Sequence, residues 1–457
     1  MSRTLADFAA ACGGKLLGAD RQYGGVSTDT RTLQAGELFV ALRGPRFNAN
    51  EFLAAAQAAG AAGAVVDTAA PSVPLAQIVV GDTLVAHMRA AQAWRERFAI
   101  PVVGVAGSNG KTTVKEMTAA ILGAAGPCLA TRGNLNNQIG VPLTLFRLDA
   151  THQNAVIEVG ANRAGDVAEL VAIARPTVGL ITNAGAEHLE GFGSLEGVAR
   201  AEGEMVAGLR SDAIAVINAD DPFADLWRGM TRAPIRSFGV RAPADFAAED
   251  VRTAVGAQGF ATRFVLRSPL GRAPIELALA GEHNVLNALA AAAAATAAGA
   301  TLEHVVQGLA DVRAVAGRLQ FKVAKSGATI VDDSYNANPS SMRAGIDVIA
   351  AMRGRKWLVV GDMAELGEFA PESHRDIGRY ARERGVERLL AVGALTPLAV
   401  EAFGPGARWF ESGDALAEVL AHELTSDDCV LIKGSRVNRL ERVVAAIAPP
   451  SVERKAS

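Results

Sequence analysis

"GVAGSNGKTT", residues 104–113, follows the apolar run Ile100 to Val105 and leads into a helix-forming segment. Gly104, Gly107 and Gly110 precede Lys111, Thr112 and Thr113. A strict phosphate-binding loop reads G-x-x-x-x-G-K-[ST], and here Val105 stands where its first glycine belongs. The physics survives the changed spacing. Glycines let backbone N–H groups turn toward phosphate oxygens, and a helix N-terminus adds positive potential. A lysine then neutralises charge, and a threonine hydroxyl can reach Mg²⁺. Gly107, Ser108, Asn109, Gly110, Lys111, Thr112 and Thr113 are therefore the expected cradle for ATP or GTP. Taken alone, the loop would also suit a nucleoside kinase, and the bland reading is a glycine-rich turn.

Around this loop the chain divides into three blocks. Residues 1–82 mix short strands such as "GELFVALRG" with a helix read over "NEFLAAAQAAGAAGA". A helix from about Thr83 to Phe98 opens a second block, 83–313, whose β-runs "NAVIEVG", "TVGLITNAG" and "DAIAVINAD" alternate with helical segments. The third block, 314–457, restarts the rhythm with "GATIVDDSY", "KWLVVGDMAEL", "RLLAVGA" and "CVLIKGSR". Such alternation predicts parallel sheets covered by helices. Ligands then bind beyond the carboxyl ends of the strands. That rule collects Ser108 to Thr113, Glu158 and Asn183 to His188 on one edge. It collects Asp332 to Asn338, Asp362 to Glu365 and Lys433 to Arg436 on another, predicting two facing crevices.

At 457 residues the chain is too long for one ordinary core. A formal net charge of −3 argues against a general nucleic-acid binder, so an anionic ligand must be gripped locally. Three scattered cysteines, Cys12, Cys128 and Cys429, give neither a disulfide framework nor a zinc site and suit a reducing compartment. "MSRTLADFAA" lacks the features of a signal peptide, and the alanine-rich stretch 288–300 is too short to span a bilayer. A cytoplasmic protein without a membrane span is expected, and nothing demands more than a monomer. The alanine-rich stretch reads as a packed helix.

Two further residues carry chemistry. Glu158 ends the run "AVIEVG" and projects from a strand end, where a buried carboxylate without a partner is costly. Mg²⁺ takes oxygen ligands and keeps water and phosphate in its shell, which suits such a carboxylate. His188, in "NAGAEHLEGFG", is read equally well as functional or as a surface or supporting residue.

The stretches "GVAGSNGKTTVKE", "GNLNNQIGVPLTL", "VIEVGANRAGD", "NAGAEHLEGFGSLEGVA", "INADDP", "GEHNVLNALAA", "GRL" and "VDDSYNANPSSM" resemble, in this order, the Mur ligases of bacterial cell-wall synthesis. The resemblance covers nearly the whole chain, and the variant loop spacing is the form this family shares with folylpolyglutamate synthetases. It implies three domains: a small N-terminal α/β domain binding a UDP substrate, a central phosphate-loop ATPase-like parallel-sheet domain, and a C-terminal Rossmann-like domain. "STDTRTLQAGELFVALRGPRFNANEF" resembles the UDP-binding domain of the two later-acting members. "DDSYNANPSSM" and "GDMAELGEFAPESHRDIG" resemble the last-acting one, which adds D-alanyl-D-alanine; the "DNPR" stretch of the diaminopimelate- or lysine-adding member is absent.

The implied reaction joins D-alanyl-D-alanine to UDP-N-acetylmuramoyl-tripeptide through an acyl phosphate, with ATP and Mg²⁺. By the same resemblance, Lys111 and Thr112 hold the β- and γ-phosphates, while Thr112, Glu158 and His188 serve the metals. Asn284 faces adenine, and Arg318 and Asp333 reach across to phosphates and ribose. Asn336 and Asn338 shape the dipeptide pocket. Ser27, Thr28, Asp29 and Arg31 contact the UDP end, and Asn134, Asn136 and Asn137 the muramoyl-peptide side. For Asn136 and Asn338, turn chemistry is an equal alternative.

One departure stands out. Family members usually carry a lysine, carbamylated by CO₂, on the helix after the histidine loop. Here Glu202 occupies that place, and it is expected to supply the acidic oxygen at a second Mg²⁺ without CO₂. A helix-surface glutamate beside a weakened metal site is the alternative. Another amide ligase, or a nucleotide-binding regulator that has lost catalysis, are the competing functions.

Overall fold

The computed structural model describes residues 3–44, 47–187, 189–256 and 259–449. The phosphate-loop stretch lies where its composition requires. Strand Val102–Ala106 is buried along its full length and sits inside a six-stranded, wholly parallel sheet. In spatial order the strands are Ile235–Phe238, Ile214–Asn218, Val178–Ile181, Val102–Ala106, Asn154–Glu158 and Cys128–Ala130. Strands buried on both faces read as continuous apolar runs, which is why "PVVGVAG" and "NAVIEVG" show no alternation. The chain crosses from one side of Val102–Ala106 to the other, so the loop that follows opens into a switch point.

Helix Lys111–Ala125 covers one face, together with helix Glu282–Ala297. The second is the alanine-rich stretch, and it is packed as expected. Ala288 and Ala290 to Ala295 are inaccessible to solvent, because their small side chains let neighbouring elements approach closely.

The third block forms a second six-stranded sheet. Its order is Gln320–Val323, Thr329–Asp333, Asp428–Lys433, Arg355–Gly361, Arg388–Val392 and Ala407–Phe410. All pairs are parallel except the first, in which Gln320–Val323 runs antiparallel at the edge. Separate apolar clusters fill its two faces.

The N-terminal block has a five-stranded sheet ordered Lys15–Leu17, Gln77–Val79, Gly63–Val66, Leu38–Val40 and Val26–Ser27. Its helix Leu5–Cys12 shares one core with helix Thr83–Arg95 and the central domain. Arg3 ties the two further, donating to the carbonyls of Phe146 (2.6 Å) and Leu148 (2.9 Å).

Two expectations need correction. The helix read through "NEFLAAAQAAGAAGA" ends at Ala58, and Gly63–Val66 is instead a fully buried strand. Alanine and glycine leave that stretch locally undecided, and Val65 and Val66 enter the core as β-branched residues suited to a sheet. The strand–helix rhythm expected through the second block also breaks. Ala247–Gly256, Gly259–Ser268 and Gly271–Leu277, which in chain order lie between the last parallel strand and the alanine-rich helix, form an antiparallel three-stranded sheet. The alternating burial of Gly259–Ser268 is the mark of a half-buried antiparallel strand. Among the described residues no helix is long and apolar enough to cross a membrane.

Candidate active site

The phosphate loop is shaped by close approach. Gly107 has φ +122°, and a Cβ there would lie 2.1 Å from Thr182 Oγ1, so no other residue fits. The strand-end segment after Val178–Ile181 laces the loop in place. Thr182 Oγ1 donates to Asn109 O (2.7 Å), Asn183 Oδ1 accepts the Asn109 N–H (3.0 Å), and Ser108 Oγ accepts the Gly185 N–H (2.8 Å). Gly110 then caps helix Lys111–Ala125.

Lys111 Nζ donates to the Gly107 and Ser108 carbonyls and ion-pairs with Glu187 Oε1 at 3.1 Å. Burial works against its ammonium, but Glu187, Glu202 and Glu158 together outweigh that and hold its pKa above the ordinary lysine value. Beside it, Glu158 is 2% exposed. Its Oε1 accepts from Thr112 Oγ1 (3.3 Å) and Asn136 Nδ2 (2.9 Å), while its buried Oε2 has no partner. An orphaned buried carboxylate oxygen beside a threonine hydroxyl and a phosphate loop fits Mg²⁺. Among the described residues no three His, Cys, Asp or Glu side chains converge as a ready-made cage. Phosphate and water would have to complete the shell.

The two strand edges face one another across a single cavity of about 780 Å³. Contacts already span it. Arg318 Nη2 donates to Thr112 Oγ1 at 3.0 Å. Asn338 Nδ2 donates to Asn109 Oδ1 (2.8 Å), and Asn109 Nδ2 donates to Ser340 Oγ (3.1 Å). Asn338 also caps helix Pro339–Ala350, accepting the Ser341 N–H through Oδ1. The turn role and the site role therefore coexist in one side chain.

On the C-terminal wall, Asp333 Oδ2 pairs with Lys433 Nζ at 2.6 Å, and Asp333 Oδ1 accepts the Leu319 N–H. Burial raises the Asp333 pKa, and Lys433 only partly opposes it. The other end of the cavity is lined by Leu279, His283, Asn284, Leu286 and Asn287. Burial and then Lys433 push the His283 pKa down to about 4, so this wall stays neutral and suits a flat heteroaromatic ring.

Residues 105–295 match the pattern of the Mur ligase middle domain, and residues 317–436 that of the Mur ligase glutamate ligase domain. The chain is 43% identical over 451 residues to the Escherichia coli (strain K12) UDP-N-acetylmuramoyl-tripeptide–D-alanyl-D-alanine ligase, covering 98% of each chain. The chain belongs to the Mur ligase family. Among solved structures it is similar to MurF from Acinetobacter baumannii (TM-score 0.91, 35% identity, 97% of this chain and 98% of the other). It is also similar to MurF from Thermotoga maritima in complex with ADP (TM-score 0.81, 28% identity, 92% and 96%). The three-domain α/β architecture is that of these structures.

In this Mur ligase the cavity is lined by Ser108, Asn109, Gly110, Lys111, Thr112, Thr113, Asn134, Glu158, Asn284, Arg318, Asp333, Asn336 and Asn338. Other expected residues lie elsewhere. Asn137 turns back on its own chain, its Oδ1 accepting the Ile139 and Gly140 N–H groups. Ser27, Thr28, Asp29 and Arg31 sit on the N-terminal domain outside the cavity lining. There the Arg31 guanidinium holds the Asp29 carboxyl down to about 2. His188 lies outside the described residues.

Glu202 is not among the residues lining the cavity. Helix Leu195–Ala207 packs Val198, Ala199 and Met205 into the core, and this aims the buried Glu202 at the loop from behind. Its Oε2 accepts the Gly107 N–H at 2.7 Å. Burial pushes its pKa up to about 7, against the pull of Lys111. It is no surface glutamate either.

Several site residues had no assigned role from sequence: Glu187, Lys433, Tyr335, His283 and Asn287. Glu187 and Lys433 stand in the strand-end segments the sequence marks out, so position could have found them. Their pairing with Lys111 and Asp333 could not be read from the chain.

Proposed function

We propose that this Mur ligase uses ATP to join D-alanyl-D-alanine to UDP-N-acetylmuramoyl-tripeptide. The observation that carries this reading is the convergence at Thr112, whose hydroxyl touches Glu158 from its own sheet and Arg318 from across the cleft. A terminal γ-phosphate seated there would meet loop N–H groups, Lys111 and Arg318. The tripeptide carboxylate oxygen attacks that phosphorus, the bond to ADP breaks, and an acyl phosphate forms. The dipeptide amine then attacks the acyl carbon, loses a proton, and expels inorganic phosphate. The residues' share is alignment and charge neutralisation, so no side-chain nucleophile is needed.

Thr112 and Glu158 Oε2 would hold Mg²⁺, which supplies neutralisation of phosphate charge. His188 and Glu202 are the proposed donors for a second ion, the Glu202 carboxylate lying directly behind the loop with its Oε2 on the Gly107 N–H. Asn284 is proposed for adenine, Asp333 for the ribose side, and Asn336 and Asn338 for the dipeptide. Ser27, Thr28, Asp29, Arg31, Asn134 and Asn137 are proposed for the UDP-muramoyl-peptide. Domain limits at 1–82, 83–313 and 314–457, and a monomeric cytoplasmic enzyme, complete the proposal. Phosphate release from ATP, with each substrate omitted in turn and products weighed by mass spectrometry, tests it. Release that needs both substrates and yields UDP-N-acetylmuramoyl-pentapeptide is expected; release with a different amine would move the assignment to another ligase.

A further inference from the structure

The C-terminal wall of the cavity holds a cation that the phosphate chemistry leaves unused. Five lysines and arginines line the cavity, and four are committed. Lys111 holds Glu187 and loop carbonyls, and Lys433 holds Asp333. Arg318 reaches Thr112, and Arg313 donates to the carbonyls of Ala310 and Val312. Arg436 is different. Among the described residues its guanidinium makes neither an ion pair nor a hydrogen bond, and its side chain lies against Tyr335, 5.5 Å from the ring centroid.

Tyr335 is shared. Arg318 stacks on the same ring, its Cζ 4.4 Å from the centroid. Arg436 therefore stands one aromatic ring beyond the arginine that touches the phosphate-loop threonine. Its backbone is anchored by the strand Asp428–Lys433 and by Ser435, whose Oγ accepts the Ala364 N–H (2.9 Å) and donates to Ala337 O (3.3 Å). The Arg436 side chain is solvent-exposed at the cavity wall, with its backbone anchored and its guanidinium over the Tyr335 ring.

The incoming dipeptide has opposite needs at its two ends. Its amine must reach the activated carbonyl beside Thr112 and Lys111, and its free carboxylate then falls up to about 7 Å away for two extended residues. A carboxylate entering a partly desolvated cavity needs a cation with its charge uncommitted. We infer that Arg436, stacked on Tyr335, binds the C-terminal carboxylate of the incoming D-alanyl dipeptide and makes the enzyme select a substrate with a free acid. The fork of a guanidinium matches a carboxylate with two parallel N–H bonds, which a lysine cannot reproduce. This inference rests on the ligase reading proposed above.

The test compares D-alanyl-D-alanine with D-alanyl-D-alaninamide, which keeps the amine and lacks the negative charge. The wild-type enzyme, Arg436→Ala and Arg436→Lys are assayed by product formation with UDP-N-acetylmuramoyl-tripeptide and ATP. For Arg436→Ala, KM for the free dipeptide should rise about 10- to 100-fold, the scale of a lost charge-assisted bond, with the other two KM values within about twofold. The wild type should disfavour the amide by a similar factor, and Arg436→Ala should treat acid and amide alike. Arg436→Lys should recover part of the preference. An Arg436→Ala enzyme that still prefers the acid overturns the inference. So does a rise confined to KM for the UDP-tripeptide, which would give Arg436 to the other substrate. Wild-type enzyme that makes no product with either dipeptide would instead overturn the ligase reading itself.

Discussion

Lys111 and Lys433 stand on facing edges of the cleft, one just after a parallel strand and one at the end of another, and each pairs with a carboxylate. Their surroundings differ. The Lys111 side chain is 16% exposed and its partner Glu187 14%, on a loop that shares the cavity with it. Lys433 is 4% exposed, and its partner Asp333 lies on the adjacent strand, where the same carboxylate also holds the Leu319 N–H. The first pair can exchange a carboxylate for a phosphate without disturbing the sheet. The second fixes the segment from Asp333 to Asn338, since Lys433 also donates to Asn336 O. One lysine is poised to act on ligand; the other holds the wall that ligand meets.

The sharpest way to break this contrast is Lys433→Met. It leaves Asp333 buried without an ammonium, and stability in urea should fall by about 3–5 kcal/mol. Adding Asp333→Asn should return most of that loss, because no buried charge then remains. A single variant as stable as wild type would remove the structural role assigned to Lys433. Lys111→Ala should do the reverse. Phosphate release should drop about 10²- to 10³-fold, the cost of losing one donor to transition-state charge, with a smaller loss of stability than in Lys433→Met because the Lys111 side chain is more exposed.

Glu202 sharpens the comparison from behind the loop. Its folded pKa is near 7 against an ordinary 4.5, so the folded protein keeps a proton that the unfolded chain releases. Its contribution is present below pH 4.5 and is lost as pH rises through about 7, at up to about 1.4 kcal/mol per unit. Thermal unfolding of Glu202→Gln should lack that fall between pH 5 and 7.5. The same variant separates two roles. If Glu202 serves a second Mg²⁺, the Mg²⁺ needed for half-maximal rate rises; if it only braces Gly107, that requirement stays and KM for ATP moves.

The smallest effect is expected from Asn338→Asp at the cross-cleft contact. It retains the helix cap and loses the amide that donates to Asn109. A fall of about 2- to 10-fold in kcat/KM, with unchanged stability, would match one hydrogen bond at the cleft. No change would show that this contact does not help align the two walls.

Much of this molecule is legible along the chain. "VVGVAG", "NAVIEVG" and "CVLIKG" announce buried parallel strands, and the polar residues just after them supply both walls of the cavity. Reading failed where local signals were weak. The strand at Gly63–Val66 hides in an alanine- and glycine-rich run, and the antiparallel strands at 247–277 break the surrounding rhythm. Glu202 shows a different limit. Its spacing from His188 places it on the right helix, but only packing decides which atom its carboxylate meets.

Sequence by itself determined most of the parallel strands of the two six-stranded sheets, the phosphate-loop chemistry and the set of polar residues available at the strand ends. Those depend on apolar periodicity, glycine freedom and residue type, all of which act locally. The partners were decided only in three dimensions: Lys111 with Glu187, Lys433 with Asp333, Arg318 with Thr112, and Glu202 with Gly107. Each joins segments tens to hundreds of residues apart. Charge and hydrogen-bond energies depend on distances and burial that exist only after the two sheets have packed.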